Sequence, residues 1–290
     1  MSVVNEPELI ADCACTLGEG PMWHPDEGRL YWTDIDSRRL IRYDPETRDH
    51  EPIAMDQKVG GFTLQSDGSL LLFMDRGSVR AWKDGVLTTI IEHLPDEIET
   101  RFNDVIADPV GRVFCGTMPT RERRGRLYRM EHDGSITLLL EGIGCSNGMG
   151  FTPDGKSMYY TDTGKREIYL FDYAVETGSL SNQRVFASFH EGIGYPDGMT
   201  VDADGYVWTA LWDGGSVVRL APDGREIDRV ALPAKKCTCI TFGGPEYTDM
   251  YITTAGGDRK DRDGAGAGAL FRLQDQRYKG VPEFRSRIGL

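Results

Sequence analysis

Residues 149–162, MGFTPDGKSMYYTD, consist of two β-rich runs around a turn that ends in glycine. Glycine supplies the positive φ that a tight hairpin turn requires. Similar turns recur along the chain as HPDEG (24–28), SDG (66–68), DPVG (108–111), DADG (202–205) and a degenerate GGPEY (243–247). From Gly28 to Gly205 the turn glycines follow one another at steps of 40, 43, 44 and 50 residues. The chain is therefore organised as a repeat.

Each repeat contains about four β-rich runs, and no long amphipathic helix interrupts them. Four strands in 40 to 50 residues are typical of a β-propeller blade. The sequence therefore predicts an all-β fold, a six-bladed β-propeller with four-stranded blades, as a single domain over residues 1–290. The sixth repeat lacks a clear fourth strand, and PELIADC (7–13) is predicted to supply it and to close the ring. A large β-sandwich is the competing fold.

Composition restricts the class of partner. The 290 residues include 33 Lys and Arg against 46 Asp and Glu, a net charge of −13. This balance argues against nucleic acid and disfavours anionic membrane surfaces. No apolar run approaches the ~20 residues that cross a bilayer, and MSVVNEPELI has an acidic residue where a secretory signal would be basic. We expect a cytosolic protein, and the sequence leaves its oligomeric state open. The six cysteines are expected to be reduced thiols, with a redox or metal-binding role for them as the alternative.

The repeat also selects candidate site residues. The innermost strand of a propeller blade lines a central channel, so equivalent positions at its start form a ring. Counting back eight residues from the turn glycines gives Gly60, Asn103, Asn147 and Asp197, and counting nine gives Glu19 in the first repeat. The sixth position falls near Cys237 or Thr238. Four oxygen-bearing side chains in one register favour a hard divalent cation such as Ca²⁺, Mg²⁺ or Mn²⁺ over Zn²⁺. For any one position, hydrogen bonding to turn amides is the alternative.

Six motifs carry a family resemblance: LGEGPMW (17–23), RFNDVIADPVGR (101–112), GTM (116–118), CSNGMGFTPDG (145–155), YPDGM (195–199) and FGGPEY (242–247). In this order they resemble the gluconolactonase, regucalcin and senescence-marker family, over residues 8 to 273. The resemblance implies a six-bladed propeller that holds one divalent metal ion, with Zn²⁺ or Fe²⁺ as alternatives to Ca²⁺, Mn²⁺ and Mg²⁺. It implies Glu19, Asn147 and Asp197 as metal ligands, and Asp197 also as the base that activates water.

The same resemblance assigns Arg101 and Asn103 to substrate binding. Some relatives have an acidic substrate contact a few residues after GTM, which here falls on Glu122, with Arg121 as the alternative. The surrounding loop, residues 119–126, is either a lid or a solvated run of charge.

The predicted activity is metal-dependent hydrolysis of a sugar (aldono) lactone to the aldonic acid, with a small-molecule sugar lactone as the partner. Two alternatives stay open: a hydrolase of another ester such as a phosphotriester, and a non-catalytic metal-binding propeller. Residues 144–148, GCSNG, fit the G-x-S-x-G pattern of serine hydrolases. That pattern requires a following helix, whereas a strand, a turn and a second strand are predicted here.

Overall fold

A computed structural model describes residues 6–290 of the chain. Within them, 24 strands form six antiparallel four-stranded sheets, which we call blades 1 to 6. These sheets confirm the predicted all-β class, a six-bladed β-propeller.

The first three blades follow the chain in order. Blade 1 comprises β2 (Gly18–His24), β3 (Arg29–Asp34), β4 (Arg39–Tyr43) and β5 (His50–Ala54). Blade 2 comprises β6 (Val59–Leu64), β7 (Leu70–Met74), β8 (Val79–Lys83) and β9 (Val86–Ile91). Blade 3 comprises β10 (Phe102–Ala107), β11 (Val113–Thr117), β12 (Gly125–Met130) and β13 (Ile136–Ile143).

The last three blades include the N-terminal strand. Blade 4 comprises β14 (Ser146–Phe151), β15 (Ser157–Asp162), β16 (Glu167–Ala174) and β17 (Ser179–Ser188). Blade 5 comprises β18 (Tyr195–Val201), β19 (Val207–Trp212), β20 (Ser216–Leu220) and β21 (Glu226–Ala231). Blade 6 comprises β22 (Cys237–Gly243), β23 (Asp249–Thr254), β24 (Leu270–Gln274) and β1 (Glu8–Ala11).

The fourth strand of blade 6 comes from the N-terminus, as predicted. Strand β1 pairs antiparallel with β24 through Glu8 and Arg272, Leu9 and Phe271, and Ala11 and Leu270. The strand is shorter than the predicted segment, because the pairing stops at Ala11. Beyond it, Ala14 has a left-handed φ of 47°, which a strand does not allow.

The chain divides into two compact units. The first contains the described residues up to Met55 together with Phe189–Pro282, and thus blades 1, 5 and 6. The second contains Asp56–Ser188 and Glu283–Leu290, and thus blades 2, 3 and 4. The single domain over residues 1–290 stays a prediction.

The first two strands of a blade are more buried than the fourth. Every residue of β6, β14 and β22 is buried, and so is all of β7. The fourth strands β9 and β21 are largely exposed. Since burial of apolar area is the main driving force for folding, the inner three strands of each blade carry the core, and the buried first strands hold the ring residues in place.

The turn glycines adopt the predicted backbone conformation. Gly28, Gly68, Gly111, Gly155 and Gly205 have φ values from 64° to 97°. Gly111 N donates to Asp108 O, which closes a turn, and Asp108 Oδ1 accepts from the amides of Val110 and Arg112 at 3.0 and 2.9 Å. These turns set the register of the two strands that they join.

Two further predictions concern the whole chain. None of the described residues 6–290 belongs to a helix that is long and apolar enough to span a membrane. The first five residues, on which the interpretation of the N-terminus partly depends, lie outside the described residues. All six cysteines are thiols rather than disulfides, as expected, and five of them are buried.

Candidate functional site

The predicted ring positions coincide with a β-bulge in the first strand of every blade. The register between first and second strands shifts between Glu19 and Met22, between Asn147 and Met149, and at the equivalent points of the other four blades. In each case the first strand contains one residue more than its partner. Bulges of this kind re-aim side chains and are frequent beside active sites.

The bulges give one common register. Each candidate lies five residues before the residue that opens the following turn, as Asn103 does before Asp108 and Glu19 before His24. The extra residue of the first repeat is therefore in its turn, where Gly28 N reaches back four residues to His24 O rather than three. In blade 6 the turn opens at Gly244, whose carbonyl accepts from Tyr247 N, so the same count falls on Cys239, the residue at which the bulge between Cys237 and Cys239 ends.

In the second unit, three predicted residues form one hydrogen-bonded network. Arg101 Nη1 donates to Asn103 Oδ1 at 2.6 Å and to Phe102 O at 2.9 Å. Asn103 Nδ2 donates to Ser146 O at 2.7 Å and to Asn147 Oδ1. The side chains of Asn103 and Asn147 are 5% and 4% exposed. The structure thus brings together Arg101, Asn103 and Asn147, as the sequence predicts.

In the first unit, the two predicted carboxylates occupy strands that flank β22. Glu19 and Asp197 are each 4% exposed. Thr238 Oγ1 donates to Gly18 O at 2.5 Å, next to Glu19, so β2 adjoins β22 at the bulge. On the other flank, a Cβ atom on Gly198 would lie 2.4 Å from Cys239 Sγ, so only glycine lets β18 approach β22 beside Asp197.

The electrostatics of this unit follow from the buried charge. Desolvation and the nearby charge of Asp197 both raise the pKa of the Cys237 thiol. Since the thiolate is the metal-binding form of cysteine, Cys237 is a poor ligand in this environment.

The set of donors fits a hard divalent cation. Among residues 6–290, no group of three His, Cys, Asp or Glu side chains could hold a metal ion, and the predicted ligand set differs from such a group because it includes an amide oxygen. Asn147 Oδ1 is such an oxygen, and it has two lone pairs, of which the hydrogen bond from Asn103 uses one. Carboxylate and amide oxygens are the ligands that Ca²⁺, Mg²⁺ and Mn²⁺ prefer.

Asp104 is a titratable residue that the sequence reasoning missed. It lies in the same bulge as Asn103. Desolvation raises the pKa of its carboxyl to about 7, and the positive charge of Arg101 acts to lower it. Perturbed pKa values of this kind cluster at functional sites. The sequence signal was Asp104 itself, the second polar residue in FNDV (102–105). Counting back from the turn glycine misses it, because the count selects only one position in each blade.

The loop predicted as a lid or a solvated run is attached to the segment before Arg101. Met118 N donates to Arg101 O at 3.0 Å, and Thr100 Oγ1 donates to Met118 O at 3.0 Å. Farther along, Arg123 forms an ion pair with the fully buried carboxylate of Glu97. The loop is therefore fixed at both ends.

Glu122, the predicted acidic contact, lies on this loop and is exposed. Its amide donates to Thr120 Oγ1 at 3.2 Å, and Arg123 N donates to the same oxygen at 3.1 Å. Arg121 is also exposed. Neither side chain belongs to the network of Arg101, Asn103 and Asn147, so the role of Glu122 stays a prediction.

The comparisons with known proteins agree with this picture. A profile of the SMP-30/Gluconolactonase/LRE-like region matches residues 17–256, and the chain belongs to this family. The pentonolactonase XacC of Haloferax volcanii is 49% identical over 288 residues, which cover 97% of this chain and 98% of that protein. Regucalcin of Gallus gallus is 34% identical over 290 residues, with 96% and 97% covered. A solved structure of a calcium-binding protein, regucalcin from Agrobacterium tumefaciens strain C58, has a TM-score of 0.89 at 28% identity, with 98% of each chain covered.

Proposed function

We propose that this protein hydrolyses a sugar lactone, with an aldono-lactone of a pentose as the first candidate substrate, and releases the aldonic acid. The observation that carries the proposal is the set of four oxygen-bearing side chains in one register, each at a bulge: Glu19, Asn103, Asn147 and Asp197. The name of the Haloferax volcanii relative, pentonolactonase, supports the pentose series. The description of the matching family, SMP-30/Gluconolactonase/LRE-like region, supports the broader class.

We assign Glu19, Asn147 and Asp197 as ligands of one divalent cation, with Ca²⁺, Mn²⁺ and Mg²⁺ ahead of Zn²⁺ and Fe²⁺. Glu19 and Asp197 are both buried carboxylates, and carboxylate oxygens are the ligands that hard divalent cations prefer. A divalent cation would also balance the two negative charges of the ionised pair. The description of the Agrobacterium regucalcin as calcium-binding supports the assignment.

The reaction adds water to the ester carbonyl and breaks the bond between the carbonyl carbon and the ring oxygen. A bound divalent cation supplies positive charge for the oxyanion that develops at the carbonyl. The carboxylate of Asp197 accepts the proton of the attacking water, and this proton then goes to the ring oxygen as the ring opens. The products are a carboxylic acid and a hydroxyl group, so atoms and charges balance.

Arg101 and Asn103 orient the substrate in this proposal. Arg101 Nη1 is committed to Asn103 Oδ1, which fixes the plane of the guanidinium. We assign the remaining donors of this rigid fork to the hydroxyl groups of the sugar. A polar network of this kind suits a polyol, whereas a phosphotriester would favour an apolar, aromatic surface.

Acid release from a panel of aldono-lactones tests the proposal. Protein treated with a chelator is compared with the same protein after Ca²⁺, Mn²⁺, Mg²⁺, Zn²⁺ or Fe²⁺ has been added back. The proposal expects metal-dependent rates well above spontaneous hydrolysis, with five-membered pentono-lactones among the better substrates. Hydrolysis of phosphotriesters alone would favour the second reaction class, and metal binding without any turnover would favour a binding protein.

A further inference from the structure

The side-chain amide of Asn147 has one defined orientation. Its Nδ2 donates to Thr163 Oγ1 at 2.7 Å, and its Oδ1 accepts from Asn103 Nδ2. Asn103 is oriented in turn, because its Oδ1 accepts from Arg101 and its Nδ2 also donates to Ser146 O. A flipped Asn147 amide would place its NH₂ group against the NH₂ group of Asn103. The hydrogen bonds therefore determine which atom of Asn147 is presented as an acceptor.

The position of Thr163 follows from the end of β15. Asn147 pairs with Thr161 and Ser146 with Asp162, after which Thr163 begins a 3-10 turn, Thr163–Lys165. The amide of Thr163 donates to Cys145 O at 3.1 Å, which holds the two segments together.

The segment before Asn147 is fixed as well. The Oδ1 atom of Asp162, which is fully buried, accepts from the amides of Gly144 and Cys145 at 2.9 and 3.2 Å. Thr163 thus presents its hydroxyl to Asn147 from a rigid backbone.

We propose that Thr163 is a positioning residue for the metal ligand Asn147. Its hydroxyl oxygen accepts the hydrogen bond from Nδ2 and so holds Oδ1 in the orientation that a cation requires. The inference rests on the proposed function, because it concerns the same metal site. Groups that orient a ligand from behind typically change metal affinity 10- to 100-fold when they are removed.

Valine tests this role, because it has nearly the shape of threonine but cannot accept a hydrogen bond. In Thr163→Val, either Nδ2 of Asn147 loses its hydrogen bond to the hydroxyl and keeps only the longer one to Cys145 Sγ at 3.6 Å, or the amide flips and points NH₂ towards the cation. Both results weaken binding. Thr163→Ser keeps the hydroxyl and is expected to retain affinity within about threefold, whereas Thr163→Val is expected to lose about 10- to 100-fold.

The chain offers a matched control at Thr161. This threonine lies on the same strand, is fully buried, and its Oγ1 has no hydrogen-bond partner within the described residues. Thr161→Val makes the same chemical change two residues away and is expected to leave metal affinity unchanged.

The measurement is the dissociation constant for Mn²⁺ alone, from the electron paramagnetic resonance signal of free Mn²⁺ titrated with chelator-treated protein. Thermal melts without metal report the fold of each variant. Weakened binding in Thr163→Val, with wild-type affinity in Thr163→Ser and Thr161→Val, supports the inference. Equal affinity in Thr163→Val and wild type overturns it. Failure of the wild-type protein to bind Mn²⁺ in this assay overturns the proposed Mn²⁺ site and the inference with it.

A double substitution separates orientation from general damage. A carboxylate has two equivalent oxygens, so Asn147→Asp needs no group to choose between them. In the Asn147→Asp background, Thr163→Val is expected to change Mn²⁺ affinity by less than threefold. A loss as large as in the wild-type background would overturn the orienting role and indicate a structural one.

Discussion

Removing Arg123 tests how the loop of residues 119–126 is held. The Arg123 guanidinium donates to the Glu97 carboxylate, to Asp96 O at 2.7 Å and to Arg124 O at 3.0 Å. Its side chain is 24% exposed, whereas that of Glu97 is 0% exposed. In Arg123→Ala, Glu97 keeps the hydroxyl of Tyr128 at 2.6 Å but loses one charged donor.

The loss of stability in Arg123→Ala can be estimated from these contacts. Breaking a buried ion pair outright costs about 3–5 kcal/mol, because the remaining charge has no partner. Here the Glu97 carboxylate retains the Tyr128 hydroxyl, and Arg126 Nη1 lies 3.6 Å away. The loss is therefore closer to one charged hydrogen bond, about 2 kcal/mol. If opening of the loop breaks this bond, the open population rises about 30-fold, since each 1.4 kcal/mol is a factor of ten.

Limited trypsin digestion measures that population, because cleavage after the exposed Arg121 requires a locally unfolded loop. We expect about 30-fold faster cleavage in Arg123→Ala, about 2 kcal/mol lower free energy of unfolding in urea, and a higher KM for the lactone with little change in kcat.

The control is Arg184→Ala, which removes a surface ion pair with Asp172 in the same unit and is expected to cost below about 1 kcal/mol. Equal cleavage rates after Arg121 in wild type, Arg123→Ala and Arg184→Ala would refute the reasoning.

Three further predictions concern the site and the packing around it. Asp197→Asn removes the proposed proton acceptor and should lower kcat at least about 100-fold, while Glu19→Gln should weaken Mn²⁺ binding; wild-type rates and affinities in both would contradict the assignment. Gly60→Ala would place a Cβ atom 2.0 Å from Phe102 O, so urea denaturation should show a loss of about 3 kcal/mol, and a stable variant would disprove the close approach of β6 and β10. Burial raises the pKa of Glu283 to about 7, so the contribution of this carboxyl group to stability falls as pH rises from about 4.5 to 7. At pH 8 the free energy of unfolding of Glu283→Gln should exceed that of wild type by about 1–2 kcal/mol, because the group is partly exposed. At pH 4 the two proteins should be equally stable, and a lower stability of the variant at pH 8 would contradict the prediction.

The repeat was readable from the sequence because each turn needs a glycine with positive φ. The pattern therefore located the turns at Gly111 and Gly155, and with them the strands on either side, and both glycines have positive φ in the structure. The strand that β1 contributes to blade 6 was predictable for a different reason. An exposed sheet edge needs cover, and only one β-rich segment was left over.

The bulges could not be predicted, although Glu19, Asn103, Asn147 and Asp197 each lie at one. A bulge that occurs in all six blades leaves the spacing between repeats unchanged, so the count back to Asn103 or Asp197 is the same with or without it. The count also showed one extra residue in the first repeat without locating it, and the structure places that residue in the turn before Gly28. Only the register between paired strands shows the difference.

The orientation of the site side chains was also beyond the sequence. The roles of Arg101 and Asn103 were expected from the family, but the direction of their hydrogen bond was not. Thr163 gave no signal, because its contact with Asn147 depends on how the chain turns after β15. Asp104 was visible in the motif, but its raised pKa results from desolvation, which is a property of the folded chain.

The most direct test of the central claim is the rate of acid release from a pentono-1,4-lactone by chelator-treated protein, measured before and after addition of each divalent cation. We expect a rate near the spontaneous one before addition. After addition we expect a saturable increase with Ca²⁺, Mn²⁺ or Mg²⁺ that is lost in Asp197→Asn. A rate that stays high in protein shown to be free of metal, or an equal increase in Asp197→Asn, would contradict the claim.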